Sequence, residues 1–172
     1  IPVWHYEPDG TSLLNGTGQF SLTHVQAVSN SLVTISSNTA INSNTCSMYC
    51  WHSVEGYSKF GKYTGNANSN GPFVYLGFRP AFVMLKCSTF SGLAWMMYDS
   101  ARVTSNPIET RLVANTANAE GTYSNQAVDF LSNGFKIRGN DSDPNKSGET
   151  YTYMAFAEHP FGGENTAPAT AR

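Results

Sequence analysis

The polar loop at residues 140–145 contains the side chains of this sequence that are best arranged to bind a hard cation. Asp141, Asp143 and Asn145 alternate along it, and a cation such as Ca²⁺ takes several oxygen ligands from alternate residues of one loop. However, Lys146 occupies the position where a calcium loop needs glycine, and the twelfth position counted from Asp141 is not the expected glutamate. The loop is therefore interpreted as a plain polar turn, and metal binding by these three residues is the alternative.

Cys46, Cys50 and His52 lie on one face of a predicted strand and therefore look like zinc ligands. Zinc ligands converge to within about 2.0–2.3 Å of the ion, usually from turns, and residues spaced along one straight strand cannot converge in this way. The spacing also places Cys46 and Cys50 roughly 13 Å apart, which is too far for a disulfide. We predict no metal centre here and expect all the cysteines, including Cys87, to be small core residues. A bridge formed by Cys87 is the alternative.

Signatures of catalysis are missing from the sequence. Glycoside hydrolysis needs two carboxylates roughly 5–9.5 Å apart, and no local motif pairs any two of the 12 acidic residues. There is also no Gly-x-Ser-x-Gly elbow, no phosphate-binding loop and no dinucleotide-binding fingerprint. Asp99, which follows Tyr98, is expected to cap a turn at the end of a strand. We therefore predict a protein that is not an enzyme and needs no cofactor, with a polysaccharide-degrading enzyme as the alternative.

Aromatic and amide side chains are the better candidates for binding. An exposed aromatic ring offers an apolar face to a sugar, and neighbouring amides or carboxylates bond its hydroxyls. The candidates for ring stacking are Trp95, Tyr98 and Tyr123, and the candidates for polar recognition are Asn66, Asn68 and Asn70. For Trp95 the favoured interpretation is core packing, and for the asparagine loop it is a solvated hairpin tip. Binding is the alternative at both places.

Composition argues against two classes of partner. Charged residues make up only 13% of the chain, the net charge is −2 and the isoelectric point is near 6.1, so no basic field attracts nucleic acid or anionic lipid. No apolar run approaches the roughly 18 residues of a membrane span, so we predict no membrane insertion. Ser, Thr and Asn account for 51 of the 172 residues, and the 13% of aromatic residues imply a packed interior.

Short strand-like runs between Gly, Asn and Pro residues are the elements that must position these side chains. Helical periodicity is absent, and alternation in the later runs directs Phe135 and Ile137 inward. The predicted strands cover residues 45–52, 57–64, 73–76, 81–87, 93–98, 111–114, 121–124, 127–131, 135–138 and 150–157. The sequence therefore predicts an all-β fold, an antiparallel two-layer β-sandwich.

An internal repeat is visible when these runs are compared in order. VQAVSNSLV at residues 25–33 parallels VDFLSNGFK at residues 128–136, and TCSMYCWH at residues 45–52 parallels TYTYMAFA at residues 150–157. About one and a half repeat units are predicted. They are residues 1–55 as the back half of an upstream β-repeat, residues 56–161 as a complete β-sandwich, and residues 162–172 as a flexible tail. Because the first unit lacks its opening strands, we expect an upstream segment, the neighbouring unit or another subunit to cover its sheet edges.

Five stretches follow one another between Val54 and Phe161: VEGYSKFGKYTGN, FVYLGFRPAFVMLK, Trp95 with the following YDSAR, VDFLSNGFKIR and TYTYMAFAEHPF. Together they resemble repeat-containing virion structural proteins of tailed bacteriophages, notably tail-fibre and tail-appendage proteins of marine phages. The resemblance implies an exterior structural domain, a β-sandwich of jelly-roll or lectin-like type that helps to form an appendage. It carries over no catalytic residue and no receptor-binding residue.

The same resemblance implies a location and partners. It places the chain on the virion exterior, as a homo-oligomer that is commonly a trimer, with other virion proteins as partners. It also implies contact with a host-surface glycan or receptor through loops at one end of the sandwich. A purely structural assembly or decoration module without receptor binding is the alternative.

Overall fold

A computed structural model describes residues 25–28, 33–35 and 51–160 of the chain. Its regular elements are, in chain order, β1 (Val25–Val28), β2 (Val33–Ile35), β3 (Ser58–Thr64), β4 (Phe73–Tyr75), β5 (Pro80–Cys87), β6 (Met96–Asp99), β7 (Thr110–Val113), β8 (Gly121–Thr122), a 3-10 helix (Ser124–Gln126), β9 (Val128–Leu131), β10 (Gly134–Ile137), α1 (Ser142–Asn145) and β11 (Thr150–Ala157). Neither helix of this described part has the length and apolar character needed to cross a bilayer.

Six strands form the larger sheet, in the order β3-β11-β5-β6-β7-β8, and every neighbouring pair is antiparallel. β5 and β11 lie inside it and are eight residues long each. Both are buried along most of their length, which is typical of strands whose two faces are both covered. Pro80 opens β5, where a proline does not remove a central ladder hydrogen bond.

Three strands form the smaller sheet, in the order β4-β10-β9, and it is also antiparallel. Its inner face packs against the larger sheet around one apolar core. Phe135 and Ile137 are fully buried in that core, which confirms the inward direction predicted from alternation. The Phe135 ring makes edge-to-face contacts with Tyr63 at 6.2 Å and with Tyr153 at 5.4 Å between ring centroids. The prediction of an all-β, two-layer antiparallel sandwich is therefore confirmed.

The opposite face of the larger sheet is apolar as well. Alternation along β5 directs Val83 and Leu85 to the main core and Met84 to this second face. The buried residues there are Phe60, Met84, Trp95 and Met154, and the partly buried ones are Trp51, Phe82, Met97 and Phe156. The Trp51 and Phe60 rings stack with their centroids 6.3 Å apart. We call these eight residues the outer apolar cluster.

Two predicted strands end earlier or begin later than alternation indicates. β6 begins at Met96 rather than at residue 93, because the N–H of Ala94 donates to Asp143 Oδ1 and the N–H of Trp95 donates to Asn115 Oδ1. β8 ends at Thr122 because the chain turns into the 3-10 helix two residues later. Side chains distant in sequence therefore decide the start of β6, whereas the local chain path decides the end of β8.

Side chains form hydrogen bonds with the backbone of two edge strands of the sandwich. The N–H of Phe60, on edge strand β3, donates to Ser53 Oγ at 3.2 Å. On edge strand β9, the Asn106 side chain accepts from the N–H of Phe130 and donates to its carbonyl, both at 2.9 Å. The Asn106 amide thus makes the two bonds that a paired strand would make. Such closure prevents edge-to-edge association at these positions.

Replacing Asn106 by alanine removes both of these bonds, and we expect the free energy of unfolding to fall by about 1–3 kcal/mol. Asn106→Asp keeps the acceptor for the Phe130 N–H and places a carboxylate near Arg79, which also binds the Phe130 carbonyl. It should therefore lose less stability than the alanine variant. Urea unfolding measures both, and an alanine variant as stable as the wild type would contradict the proposed role of the amide.

Of the segments compared as repeats, residues 25–33 and residues 128–136 each fall on a pair of antiparallel strands. β1 pairs with β2, and β9 pairs with β10 across a two-residue turn. The rest of residues 1–50 and the tail at 162–172 lie outside the described residues. The first of these ranges includes Cys46, Cys50 and most of the predicted strand at 45–52. The division into residues 1–55, 56–161 and 162–172 stays a prediction.

Candidate functional site

Two of the aromatic candidates, Trp95 and Tyr98, are core residues. Trp95 is 1% exposed and belongs to the outer apolar cluster, while Tyr98 is fully buried in the main core. The Tyr98 hydroxyl donates to the Gln126 carbonyl at 2.7 Å, and burial raises the pKa of this hydroxyl. Neither ring offers a face to a ligand in this conformation. Core packing, the favoured interpretation of Trp95, is what the structure shows.

Tyr123 is exposed and lies at the far edge of the larger sheet, directly after β8. The Arg111 guanidinium lies over its ring, 4.5 Å from the centroid, and is itself held by Gln126 Oε1 at 2.8 Å. A Cβ added to Gly121 would lie only 2.3 Å from the same ring. The guanidinium therefore covers part of one ring face, while the Tyr123 side chain as a whole stays 45% exposed.

The candidates Asn66, Asn68 and Asn70 do lie together in one exposed loop, which leads into β4. Asn66 Oδ1 accepts from the N–H of Asn68 at 3.0 Å, and Asn68 Oδ1 accepts from the N–H of Asn70 at 2.8 Å. The loop is thus folded by successive asparagine turns. Asn145, the last residue of α1, also binds this loop. Its side-chain nitrogen donates to Asn66 Oδ1 and to the Asn68 carbonyl.

Asp141, Asp143 and Asn145, the alternative metal ligands, form hydrogen bonds to other groups of the protein. Asp141 caps α1 by accepting from the N–H of Asp143, and its other oxygen accepts from Asn125 at 3.1 Å. Asp143 accepts from the N–H of Ala94 at 2.8 Å, and Asn145 is fully buried. Within residues 51–160 no group of three or more His, Cys, Asp or Glu side chains could hold a metal ion. The predicted polar turn contains a single turn of α-helix.

Asp99 caps a turn, as predicted from its place after a strand. Its Oδ1 accepts from the N–H groups of Ala101 and Arg102, and its Oδ2 accepts from the Arg102 guanidinium, which also pairs with Glu120. Burial alone would raise the pKa of the Asp99 carboxyl, but the hydrogen bonds and charge of Arg102 outweigh burial and lower it. The carboxyl is thus a structural anion at neutral pH.

Strand β4 presents an aromatic surface that sequence reasoning missed. Phe73 is 45% and Tyr75 is 56% exposed, whereas Val74 between them is buried in the core. Two residues along a strand span about 7 Å, so the two rings project from the same face at that spacing. Alternation in the sequence places Phe73 and Tyr75 on one face and Val74 on the other, but it does not indicate which of the two faces is exposed. We call Phe73 and Tyr75 the aromatic strip.

A cleft of about 340 Å³ adjoins the aromatic strip, at the open edge between the two sheets. Its lining residues are Ser53, Val54, Glu55, Gly56, Ser58, Lys59, Tyr75, Leu76, Gly77 and Phe78. Lys59 spans the two layers, because it lies on β3 and its Nζ donates to the Tyr75 carbonyl at 3.0 Å. The same Nζ lies 5.1 Å from the centre of the Tyr75 ring. We call this space the edge cleft.

The aromatic strip and the edge cleft together combine exposed ring faces with backbone and side-chain polar groups. This combination suits stacking and hydrogen bonding to a ligand with apolar and hydroxyl-bearing faces. Glu55 is the one carboxylate among the residues that line the edge cleft. Hydrolysis of a glycosidic bond by the usual mechanism needs two carboxylates. The residues that line the edge cleft therefore lack the carboxylate pair that this mechanism requires.

Comparison with curated proteins and with solved structures gave no significant match. A family model described as "Domain of unknown function (DUF7483)" matches residues 9–160. The matched range contains the aromatic strip, the edge cleft and every strand of both sheets. Because it covers most of the sequence, the chain belongs to the family described as a domain of unknown function, DUF7483.

Proposed function

We propose that this domain is a non-enzymatic glycan-binding module of a bacteriophage virion appendage of the tail-fibre type. The observation that carries the binding function is the aromatic strip, two exposed rings on one edge strand beside an open cleft. The virion setting rests on the sequence resemblance between residues 54 and 161. On the virion exterior such a site would contact a host-surface glycan.

The aromatic strip is suited to binding because the backbone that carries it is rigid. β4 is held by its antiparallel ladder with β10, and Val74 anchors it in the core. The Lys59 bond to the Tyr75 carbonyl adds a tie to the opposite sheet. Preorganised aromatic groups lose little conformational entropy when a ligand stacks on them, so more of the contact energy appears as affinity.

The outer apolar cluster favours a second candidate function, an assembly or decoration module without receptor binding. Phe82, Met97 and Phe156 of this cluster are only partly buried, and apolar surface of this kind is typical of protein interfaces. In that function the domain would contact copies of itself, as in a homotrimer, or other virion proteins. The two functions are distinguished by whether an isolated domain binds glycans at all.

Replacing Tyr75 by alanine tests the proposed site. We expect the affinity for a bound glycan to fall roughly tenfold or more, because an exposed ring that stacks on the ligand behaves as a binding hot spot. Glycan-array screening followed by calorimetric titration of the best ligand measures the change. Phe90→Ala is the matched control, since Phe90 is 41% exposed and lies outside the aromatic strip and edge cleft.

Two results would count against glycan binding. The first is a wild-type domain that binds nothing on the array, and light scattering that shows a trimer in that case would favour the assembly function. The second is a Tyr75→Ala domain that keeps the wild-type melting temperature and the wild-type affinity. In that second case the glycan would bind elsewhere on the domain.

A further inference from the structure

We propose that the ligand of the aromatic strip is an acidic polysaccharide, whose chain lies along β4 and whose carboxylate or sulfate groups bind Lys59 and Lys136. This inference rests on the proposed glycan-binding function and adds the chemical class of the glycan. It is argued from the positions of the two ammonium groups, from their lack of a counter-charge among the described residues, and from the rings between them.

Lys136 lies on the same outer face of the smaller sheet as the aromatic strip. Its neighbours Phe135 and Ile137 are buried, so alternation directs Lys136 outward, and the β4-β10 register places it directly opposite Phe73. Its Nζ donates to the Gly71 carbonyl at 2.9 Å, at the start of the segment that leads into β4. The first ammonium group is therefore fixed beside Phe73.

Lys59 occupies the corresponding position at Tyr75. It approaches from the larger sheet, with its Nζ bonded to the Tyr75 carbonyl and 5.1 Å from the centre of the ring. The two cations thus flank the aromatic strip, one at each end. A ligand that stacks on both rings has to pass both ammonium groups.

Within the described part of the chain, no carboxylate is in ion-pairing distance of either ammonium group. Both bind backbone carbonyls there and neither is in an ion pair. Asp129, the cross-strand neighbour of Lys136, is instead 3.4 Å from the Arg138 guanidinium. An ammonium group has three donors and each of these uses one on a carbonyl, so donors remain for a ligand anion. Charge complementarity therefore favours a ligand with acidic groups.

An acidic sugar chain satisfies the rings and the cations together. Its pyranose faces stack on Phe73 and Tyr75, and its acidic substituents project sideways toward the ammonium groups. The exposed asparagine loop directly precedes β4 in the chain. The Asn70 side-chain amide in this loop makes no hydrogen bond within the described residues. Single-stranded nucleic acid fits less well, because its binding uses a positively charged groove that follows the backbone, whereas two ammonium groups flank the aromatic strip and Glu55 lines the adjoining edge cleft.

The test compares matched neutral and acidic ligands on the full chain and its variants. The probes are galacturonate oligosaccharides and their methyl esters, and chondroitin oligosaccharides with and without sulfate, all within a wider array of neutral and acidic glycans. The variants are Lys59→Gln, Lys136→Gln and the double change. Lys62→Gln is the control, because Lys62 is exposed on β3 outside the edge cleft.

We expect acidic members of the matched pairs to bind at least about tenfold more tightly than neutral ones, with an affinity that falls as salt rises. The double variant should lose most of that preference, whereas Lys62→Gln should leave both the preference and the affinity for neutral glycans unchanged. Lys59→Arg with Lys136→Arg keeps both charges and should retain the preference. This pair keeps the proposal testable if the glutamine variants unfold.

Three outcomes would overturn the proposal. Equal affinity for neutral and acidic glycans, or a double variant that keeps the acidic preference, rejects this inference and leaves the glycan-binding function standing. Binding of a single-stranded oligodeoxynucleotide with equal affinity through the same lysines also rejects it, because the site would then recognise charge alone. Absence of binding to every glycan rejects the proposed function itself, and this inference with it.

Discussion

Replacing Phe135 by alanine is expected to lower the free energy of unfolding by about 3–5 kcal/mol, the range for truncating a fully buried phenylalanine. The Phe135 side chain lies between the two sheets and contacts the rings of Tyr63 and Tyr153 edge to face. Removing it leaves a cavity that β10 cannot close without breaking its ladders with β4 and β9. Urea unfolding followed by tryptophan fluorescence measures the change.

Phe90→Ala is the matched control for this effect. Phe90 is 41% exposed, and the Lys146 Nζ lies 4.4 Å from the centre of its ring. Its removal should therefore change the free energy of unfolding by about 1 kcal/mol or less. If Phe135→Ala proves too unstable to purify, Phe135→Leu leaves a smaller cavity and should show a smaller loss. Equal stability of the Phe135→Ala and Phe90→Ala variants would contradict the position of Phe135 in the core.

Replacing Asn145 by alanine is the second large effect, and we expect a loss of about 2–4 kcal/mol. The two N–H donors of the Asn145 side chain are shared among three acceptors, Asn66 Oδ1, the Asn68 carbonyl and the Gly139 carbonyl, and its oxygen accepts from the N–H of Asn66 at 2.8 Å. The Asn145 side chain is fully buried, so alanine leaves the buried Gly139 carbonyl without this donor and removes the bonds that hold the asparagine loop. Thermal and urea unfolding measure the loss.

Asn118→Ala serves as the control for Asn145, because Asn118 is an exposed asparagine in the connection between β7 and β8. It should change stability by no more than about 0.5 kcal/mol. Faster amide hydrogen exchange of residues 66–70 in Asn145→Ala, with unchanged exchange in β5, would show that the asparagine loop loosens first. An Asn145→Ala domain as stable as the Asn118 variant would mean that water replaces the buried amide without loss.

The asparagine loop, Asn145 and the aromatic strip form one continuous end of the smaller sheet. The loop at residues 66–70 is held by Asn145 on one side and leads through Gly71 into β4 on the other. The Lys136 bond to the Gly71 carbonyl lies at that junction. The Asn145 variant should therefore also weaken binding at the aromatic strip, through loss of order in the segment that precedes it.

The sequence by itself determined the fold class and the inward direction of Phe135 and Ile137 along their strand. Alternation is a property of neighbouring residues, since successive side chains in a strand point to opposite faces. The burial of Phe135 and Ile137 and the antiparallel sandwich could therefore be predicted locally. The replacement of glycine by Lys146 likewise argued for a polar turn at residues 140–145. The virion setting and the glycan ligand came from resemblance and stay proposals.

Only the tertiary structure decided which faces and edges remain open. Trp95 and Tyr98 are equally good ring-stacking candidates by residue type, yet the larger sheet buries one on each of its faces. The edge cleft joins Lys59 of one sheet to Tyr75 of the other, and Asn145 bonds a loop nearly eighty positions earlier in the chain. These contacts depend on the pairing order of distant strands, which a period of two residues does not encode. The exposed aromatic strip exists because β4 lies at the edge of its sheet, and strand order alone decides that position.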